Sequence, residues 1–435
     1  MVTQFYPPDY AATGQLIEEL IKHLANYGMH IRVFTGQPGY AFSKSSAPIL
    51  EESSNVLIRR SRTARLWPQR IRGKALNGLL FCVRSGLHLI GTVWRSDLLL
   101  LTTAPPYLPL LGYLVHLLFG VSYVCLLYDL YPDVAVELNV IPSTHWLAGL
   151  WDRLNYLVWK QAEGVIVLSP TMKDRITAKY PEIADKISVI HNWADPDWIV
   201  PIQKEDNWFA QKNNLTQKFT VLYSGNMGRC HDMETIMDAA VALKNEPIQF
   251  VFIGGGAKRQ GCIERAQAEN LSNCLFLPYQ DRETIPYSLT ACDVSLVSVG
   301  FGMEGLIAPS KFYGSLAAGR PVAVVCQPHS YLRHIVEEAQ CGAAFDINDG
   351  GGLAKFIYSL YEDRQLASEM GNAGRCYLES HFTPEVIARK YFKVLSACAD
   401  RTPRNEEPIE PLNSADKRTL SKSSFPSKLV RWLKS

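Results

Sequence analysis

The sequence predicts an α/β protein of two doubly wound, Rossmann-like halves that face each other across a cleft. Three observations carry this reading. Short apolar runs with strand character alternate with helical runs along the chain, the alternation restarts after Asp195, and several turns that leave the strands are rich in glycine. Such βαβ alternation means parallel sheets covered by helices.

The elements follow in order. "MVTQFY" reads as the end of a strand running into a loop. A buried strand needs about five or six residues, so the opening is either a short first strand or a start assigned a few residues late. Thr13 to Tyr27 is helical, with Leu16, Leu20 and Leu24 on one face. "MHIRVFTG", "SDLLLLTT", "SYVCLLYD" and "EGVIVLS" are strands of the first half, and "ISVIHN" closes it. The polar, proline-bearing stretch 195–217 is the expected crossing. "FTVLYSGN", "IQFVFIGGG", "CLFLPY", "DVSLVSV" and "PVAVVC" are strands of the second half. The expected organisation is 1–195, an acceptor-binding half; 196–382, a nucleotide-sugar-binding half; 383–400, a helix returning to the first half; and 401–435, a polar, disordered tail. The two ligand assignments in this division rest on the resemblance described below.

Leu98 to Tyr128 contains no Asp, Glu, Lys or Arg. Pro105, Pro106, Pro109, Gly112 and Gly120 argue against one membrane span and for a strand, a helix over 107–119 and a second strand. Between Ser53 and Ser96 there is no acidic residue, while Arg59, Arg60, Arg62, Arg65, Arg70, Arg72, Lys74, Arg84 and Arg95 all fall there, interleaved with apolar side chains. This pattern suits either a solvated basic face or the surface of an anionic membrane, and the expectation is a peripheral membrane belt.

Composition excludes other classes. The chain has 435 residues and a formal charge of +2, which marks no nucleic-acid binder. Ten cysteines without a Cys-x-x-Cys pair offer neither a zinc site nor a disulfide framework and suit a reducing cytosol. "MVTQFYPPDY" has no basic segment followed by an apolar one, so no secretory signal is expected there.

The chemistry should gather at the strand ends that line the cleft. "PPDYAATGQL" offers Gly14 at the start of the first helix. "LLYDLYPD" places Asp129 and Asp133 after a buried strand. "YSGNMGRCHDME" carries Gly225, Asn226, Gly228 and Arg229, and "FIGGGAKR" carries Gly254, Gly255 and Gly256. In "EGLIAPSKFYGSLAAGRPVAVV", Pro309, Ser310 and Lys311 stand ahead of a helix over 312–318, which Gly319 and Pro321 end. A lysine at a helix start suits a phosphate. Arg229 and Lys311 together suit a pyrophosphate that leaves as an anion. Each residue alone has an equally good structural reading: a surface cation, a helix cap, a tight turn. The set carries the inference.

"SGNMGRCHDMETIMDAA", "FVFIGGGAKR", "LPYQDRETIPYSLTACDVSLV" and "PSKFYGSLAAGRPV" together resemble the C-terminal half of family 4 glycosyltransferases of the GT-B fold. "QFYPPDYAATGQLIEELIKHLANYGMHIRVFTG" resembles their opening, and "YDLYPDVAVELNV" is similar to the colanic-acid-type exopolysaccharide branch. The resemblance spans residues 1–395. It implies retaining transfer of a sugar from a nucleotide sugar. The basic stretch adds the expectation of a glycan or polyprenyl-linked acceptor and the cysteine usage that of a cytoplasmic location, while no metal or other cofactor is expected because cations and helix dipoles can supply the charge. The resemblance implies donor contacts from Gly14, Gly225, Asn226, Arg229, Gly255, Pro278, Tyr279, Pro309, Ser310 and Lys311, and catalytic or acceptor roles for Asp129 and Glu304. The chain departs from the family pattern at several points. The family's diphosphate-binding Arg and Lys are replaced by Asn226 and His231. Counting back from Gly319, Gly314 stands where a ribose-binding glutamate is expected, with Glu304 ten residues before it. Tyr128 replaces the histidine of the catalytic loop. An epimerase of the same fold and a non-catalytic relative therefore stay open as alternatives.

Overall fold

The computed structural model describes residues 1–9, 12–38, 47–61 and 71–400. The polar tail, and Arg62, Arg65 and Arg70 of the basic segment, lie outside the described residues.

The first half contains α1 (Ala12–Asn26), β1 (Ile31–Gly36), β2 (Leu50–Ser53), β3 (Val56–Ser61), α2 (Ile71–Thr92), β4 (Leu98–Thr102), α3 (Leu108–Phe119), β5 (Ser122–Leu127), α4 (Asp133–Glu137), α5 (Trp146–Gln161), β6 (Gly164–Val167), α6 (Pro170–Lys179) and β7 (Ile187–Val189). β3 pairs parallel to β1 and antiparallel to β2, and β4, β5, β6 and β7 lie side by side in parallel. Val2 sits between the two groups, bridging in parallel to Phe34 of β1 and Leu101 of β4. Its N–H donates to Leu100 and the Thr3 N–H donates to Phe34. The opening segment is therefore the central strand of this half, reduced to about one residue of pairing.

The apolar stretch 98–128 folds as strand, helix and strand. Pro109 lies in the first turn of α3, where its missing N–H costs nothing, and Gly120 ends the helix at φ 74°. β5 is buried along its whole length, which explains why no charge interrupts its sequence.

The second half contains α7 (Trp208–Lys212), β8 (Phe219–Ser224), α8 (Glu234–Ala242), β9 (Ile248–Ile253), α9 (Arg259–Ala268), β10 (Cys274–Leu277), α10 (Ile285–Thr290), β11 (Val294–Ser298), α11 (Lys311–Ala317), β12 (Val322–Val325), α12 (Tyr331–Ala339), β13 (Gly342–Phe345), α13 (Gly350–Glu362) and α14 (Arg364–His381). Its strands run in the order β10-β9-β8-β11-β12-β13, all parallel. Counted from β8 this is 3-2-1-4-5-6, the doubly wound order whose crevice opens between the first and fourth strands. Part of the expected crossing, around Lys204, packs on the strands of this half. Lys204 is buried and its ammonium donates to Asp293 at 2.6 Å and to Thr220 at 3.1 Å.

The last helix among the described residues, α15 (Pro384–Asp400), packs against α1, β4 and β5 of the first half. Ile387, Ala388, Tyr391, Leu395 and Cys398 are its buried side. A Cβ on Gly164 of β6 would lie 3.2 Å from the Cys398 sulfur, so the absent side chain lets this helix approach the sheet.

The basic segment departs from the expected belt. Arg59 is exposed on β3, but Arg60 is buried. Its guanidinium donates to Glu51 at 2.6 Å and to the carbonyls of Pro7 and Pro48 at 2.6 and 3.1 Å. Alternation along a strand sends neighbouring side chains to opposite faces, so Arg60 is a structural cation and not a membrane contact. Arg72 lies at the start of α2.

Candidate functional site

The site is assembled where the strand ends of both halves meet. In the second half, two glycine turns interlock. Gly225 follows β8 with φ 128°, and Gly254 and Gly256 follow β9 with φ 129° and 128°. A Cβ on Gly254 would fall 2.1 Å from the Gly225 carbonyl, and one on Gly256 would fall 2.5 Å from that of Met227. Only glycine permits this backbone conformation and this approach. The Met227 N–H donates to Gly255 at 2.6 Å and ties the turns together. Tyr279, half-exposed beyond β10, lays its ring over Gly255, where a Cβ would be 2.9 Å away. Pro278 beside it is exposed.

Lys311 reaches this glycine platform from α11. Its ammonium donates to the Tyr223 hydroxyl at 2.5 Å and lies 3.8 Å from the centre of that ring. The Tyr223 hydroxyl in turn donates to the Asn226 carbonyl at 3.0 Å. The same ammonium is 3.6 Å from where a Cβ on Gly225 would stand. Desolvation lowers the Lys311 pKa to about 7.

The two positions where cations were expected carry no such charge. Asn226 is exposed on the turn. The His231 imidazole is bonded through Nδ1 to the Ser298 carbonyl at 2.8 Å. Burial and the neighbouring Lys311 depress its pKa to about 3, which leaves the ring neutral. Arg229 is exposed on the same turn, and the cation beside the open side of Gly225 is the Lys311 ammonium. Lys258 is a cation that sequence reasoning passed over. Its ammonium donates to the His231 carbonyl at 2.7 Å. Its place after a glycine run, in "GGGAKR", was the available signal.

From the first half, Asp129 follows β5. Its backbone bridges in antiparallel fashion to Ile307, and the Leu130 N–H donates to Leu306 at 2.9 Å, so the two halves are joined by main chain here. Thr103 accepts from the Tyr128 N–H at 2.9 Å and fixes the turn. Desolvation raises the Asp129 carboxyl to about 6. Asp133 plays a different part: it pairs with Lys179 at 2.6 Å across α4 and α6.

A small cavity of about 90 Å³ lies between the halves. Thr13, Leu16, Tyr128, Asp129 and Asn192 line it from one side, and Ala308 and Ser310 from the other. Asn192 is buried and its side-chain oxygen has no partner. A buried polar atom without a partner costs free energy, so it marks a place for a hydroxyl or a water. No motif flagged Asn192; its position at the end of "ISVIHN", just beyond β7, is the only hint.

Other predicted residues have structural work. A Cβ on Gly14 would lie 3.2 Å from the Phe5–Tyr6 backbone, so glycine lets α1 begin against the incoming chain. Glu304 is buried, and its carboxylate accepts from the Thr171 hydroxyl at 2.8 Å, while its other oxygen has no partner. Arg175 donates to the carbonyls of Glu304 and Gly302, each at 3.1 Å. The segment around Glu304 is thus clamped to α6 of the opposite half. At Gly314, a Cβ would meet Leu289 at 3.3 Å and Ile199 at 4.0 Å, so that position faces apolar packing. Pro309 is buried just before Ser310, at the turn into α11.

Comparison with known proteins gives consistent matches. The model "Glycosyl transferase 4-like domain" matches residues 12–193, and "Glycosyl transferases group 1" matches residues 204–376. The chain is 28% identical over 300 residues to WbjE of Pseudomonas aeruginosa, named a probable glycosyltransferase, covering 68% of this chain and 74% of that one. It is 24% identical over 353 residues to WcaI of Escherichia coli K12, named a putative colanic acid biosynthesis glycosyl transferase, covering 76% of this chain and 84% of that one. In fold it is similar to sucrose-phosphate synthase from Thermosynechococcus elongatus, with a TM-score of 0.71 at 18% identity over 89% of this chain and 93% of that one. It is also similar to HepE of Anabaena, solved in complex with UDP-glucose, with a TM-score of 0.67 at 13% identity over 91% and 99%.

Proposed function

Since the chain belongs to the family 4 glycosyltransferases of GT-B fold, we propose that it moves a sugar, with retention of configuration, from a nucleotide-sugar donor held on the second half. The acceptor is a glycan or lipid-linked sugar presented by the first half, and the product belongs to exopolysaccharide or envelope glycan. The observation that carries this reading is the Lys311 ammonium against the glycine turn after β8. That ammonium stands at the crevice of a doubly wound sheet, beside a turn whose glycines leave room for a ligand. A diphosphate is the natural guest.

In this reading the ring of Tyr279 over Gly255 receives the base. Lys311 stabilises the diphosphate as it leaves, an interaction that strengthens as charge develops. Asp129, Asn192 and Ser310 line the space between donor and acceptor, where Asp129 orients a hydroxyl. The donor assignment draws support from the UDP-glucose complex of HepE, and the pathway from the name of WcaI. The work is done at the cytoplasmic face of a membrane.

A melting panel of nucleoside diphosphates and nucleotide sugars tests the donor. A ligand at about a hundred times its dissociation constant adds roughly 2.7 kcal/mol of stability. A shift with one nucleotide sugar, followed by an α-configured product in NMR when acceptor is added, is expected for an α-linked donor. Turnover without acceptor that yields only an isomerised donor would replace transfer with epimerisation. No shift with any donor would remove the reading.

A further inference from the structure

The surface of the first half carries an apolar face that the transfer chemistry does not use. Along α2 and the turn after it, Leu76, Leu79, Val83, Leu87, Ile90 and Trp94 are all exposed, Leu87 to 68%. Their spacings of three and four residues place them on one side of the helix. The opposite side is built for the protein core: Phe81, Ser85, Leu89 and Val93 are buried. α3 lies against α2 and adds exposed Leu114, Leu117 and Leu118, with Leu117 at 59%. The two faces meet where Trp94 contacts Phe119 edge-on, ring centres 4.9 Å apart. Exposed apolar side chains scattered singly are ordinary, but a contiguous face along two packed helices is not.

The charge around this face names its occupant. No acidic residue occurs from 54 to 96 or within α3, and of the cations in that stretch Arg59 and Arg95 are exposed, whereas Arg60 turns inward to Glu51. A protein partner with a matching apolar surface gives no reason for excluding every carboxylate over this length. An anionic bilayer does, because carboxylates held near lipid phosphates are repelled and cations are attracted.

We propose that the α2–α3 face inserts into the headgroup region of an anionic bilayer, holding the enzyme on the membrane without crossing it. Leu76–Arg95 is long and apolar enough to span a bilayer by length and composition. Its inward side, however, is committed to the sheet through Phe81, Leu89 and Val93, so the helix lies in the plane of the surface with its outer half submerged. Here the apolar face supplies the depth and the arginines supply the preference for negative lipid. The proposal is independent of which nucleotide sugar is used.

The test uses the full chain and sucrose-loaded vesicles of phosphatidylcholine, with or without phosphatidylglycerol. Wild type should sediment with the mixed vesicles, more weakly with neutral ones, and be released by alkaline carbonate. Leu79→Ser/Val83→Ser/Leu87→Ser should lower partitioning by about tenfold or more, with melting and nucleotide binding unchanged. Leu117→Gln/Leu118→Gln on the second helix should do the same, which covers a failure of the first variant to fold. Equal sedimentation of both variants and wild type would overturn the proposal, as would resistance to carbonate, the mark of a spanning helix. So would a wild-type dimer in analytical ultracentrifugation that the substitutions make monomeric. Because vesicle binding is read without donor or acceptor, its failure leaves the transferase reading standing, and loss of the transferase reading leaves vesicle binding intact.

Discussion

The Lys311 ammonium donates a 2.5 Å hydrogen bond to the Tyr223 hydroxyl, which itself donates to the Asn226 carbonyl. One side chain from α11 thereby places its charge on the turn that follows β8, where neither Asn226 nor the neutral ring of His231 supplies any. Lys311→Ala should lower kcat on the order of a hundredfold, the cost of one preorganised charge partner in the transition state, without unfolding the protein. Arg229→Ala, on an exposed side chain, should change kcat by less than about threefold. Steady-state rates beside melting curves check both. The reverse ranking would move the phosphate site to the outer side of the turn.

Proton uptake should accompany donor binding. Desolvation holds the Lys311 pKa at about 7 in the empty site, and a bound diphosphate favours the ammonium and raises that value again. Calorimetry at pH 8 in buffers of different ionisation enthalpy should therefore show uptake by the wild type and not by Lys311→Met. The sign for stability is the opposite of a paired lysine. Between pH about 7 and the unfolded value near 10.5 the unfolded chain holds more protons, so this group makes the empty protein more stable as pH rises through that window.

Asp129 should give the acid limb of the rate profile. Its carboxyl is raised to about 6 by burial, so below that pH the acid form accumulates and can no longer accept a proton from a hydroxyl. The kcat/KM of the wild type should fall as pH drops through 6. Asp129→Asn should lose activity by about tenfold or more and lose this limb, with stability little changed. A carboxyl with a raised folded pKa contributes stability below the unfolded value near 3.8 and loses it as pH rises through 6. Removing the charge therefore should not destabilise the protein at neutral pH. A limb that persists in the Asn variant would assign it to another group.

Lys204→Ala should destabilise the second half by about 3–5 kcal/mol, because it leaves Asp293 half-buried without its 2.6 Å partner. Denaturant melts are the measurement. Lys204→Met should be milder than Ala, since it keeps the buried stem. An unchanged midpoint for both would mean that Arg364, 3.2 Å from the other Asp293 oxygen, suffices alone.

Thr171→Val probes the clamp between the halves. It removes the hydrogen bond to a Glu304 carboxylate whose second oxygen is already without a partner. The buried acceptor should then cost about 1–3 kcal/mol, and the halves should separate more readily, which a larger radius of gyration in solution scattering would report. Unchanged scattering and stability would show that Arg175 holds the clamp by itself.

The sequence by itself determined the layers. Parallel strands buried on both faces must be runs of Val, Ile, Leu and Phe, and the turns that let two loops cross must be glycine. β8, β9 and β12, with Gly225 and Gly254, are therefore legible as a one-dimensional pattern. So are the α3 stop at Gly120 and the α11 stop at Gly319. What only the tertiary structure decided depends on side-chain reach and on which face an element turns. Lys311 is legible as a candidate cation, but that its ammonium lies on the glycine turn while Arg229 points to solvent follows from α11 beginning where its side chain reaches Tyr223 of β8. Arg60, one residue from exposed Arg59, turns inward to Glu51, because alternate residues of a strand face opposite ways. Glu304 meets Thr171 of the other half instead of open solvent, and Asn192 joins the cleft from the end of β7. Composition counts charges and spacing sets periods, but neither specifies which distant backbone a long side chain will meet once two sheets close on each other.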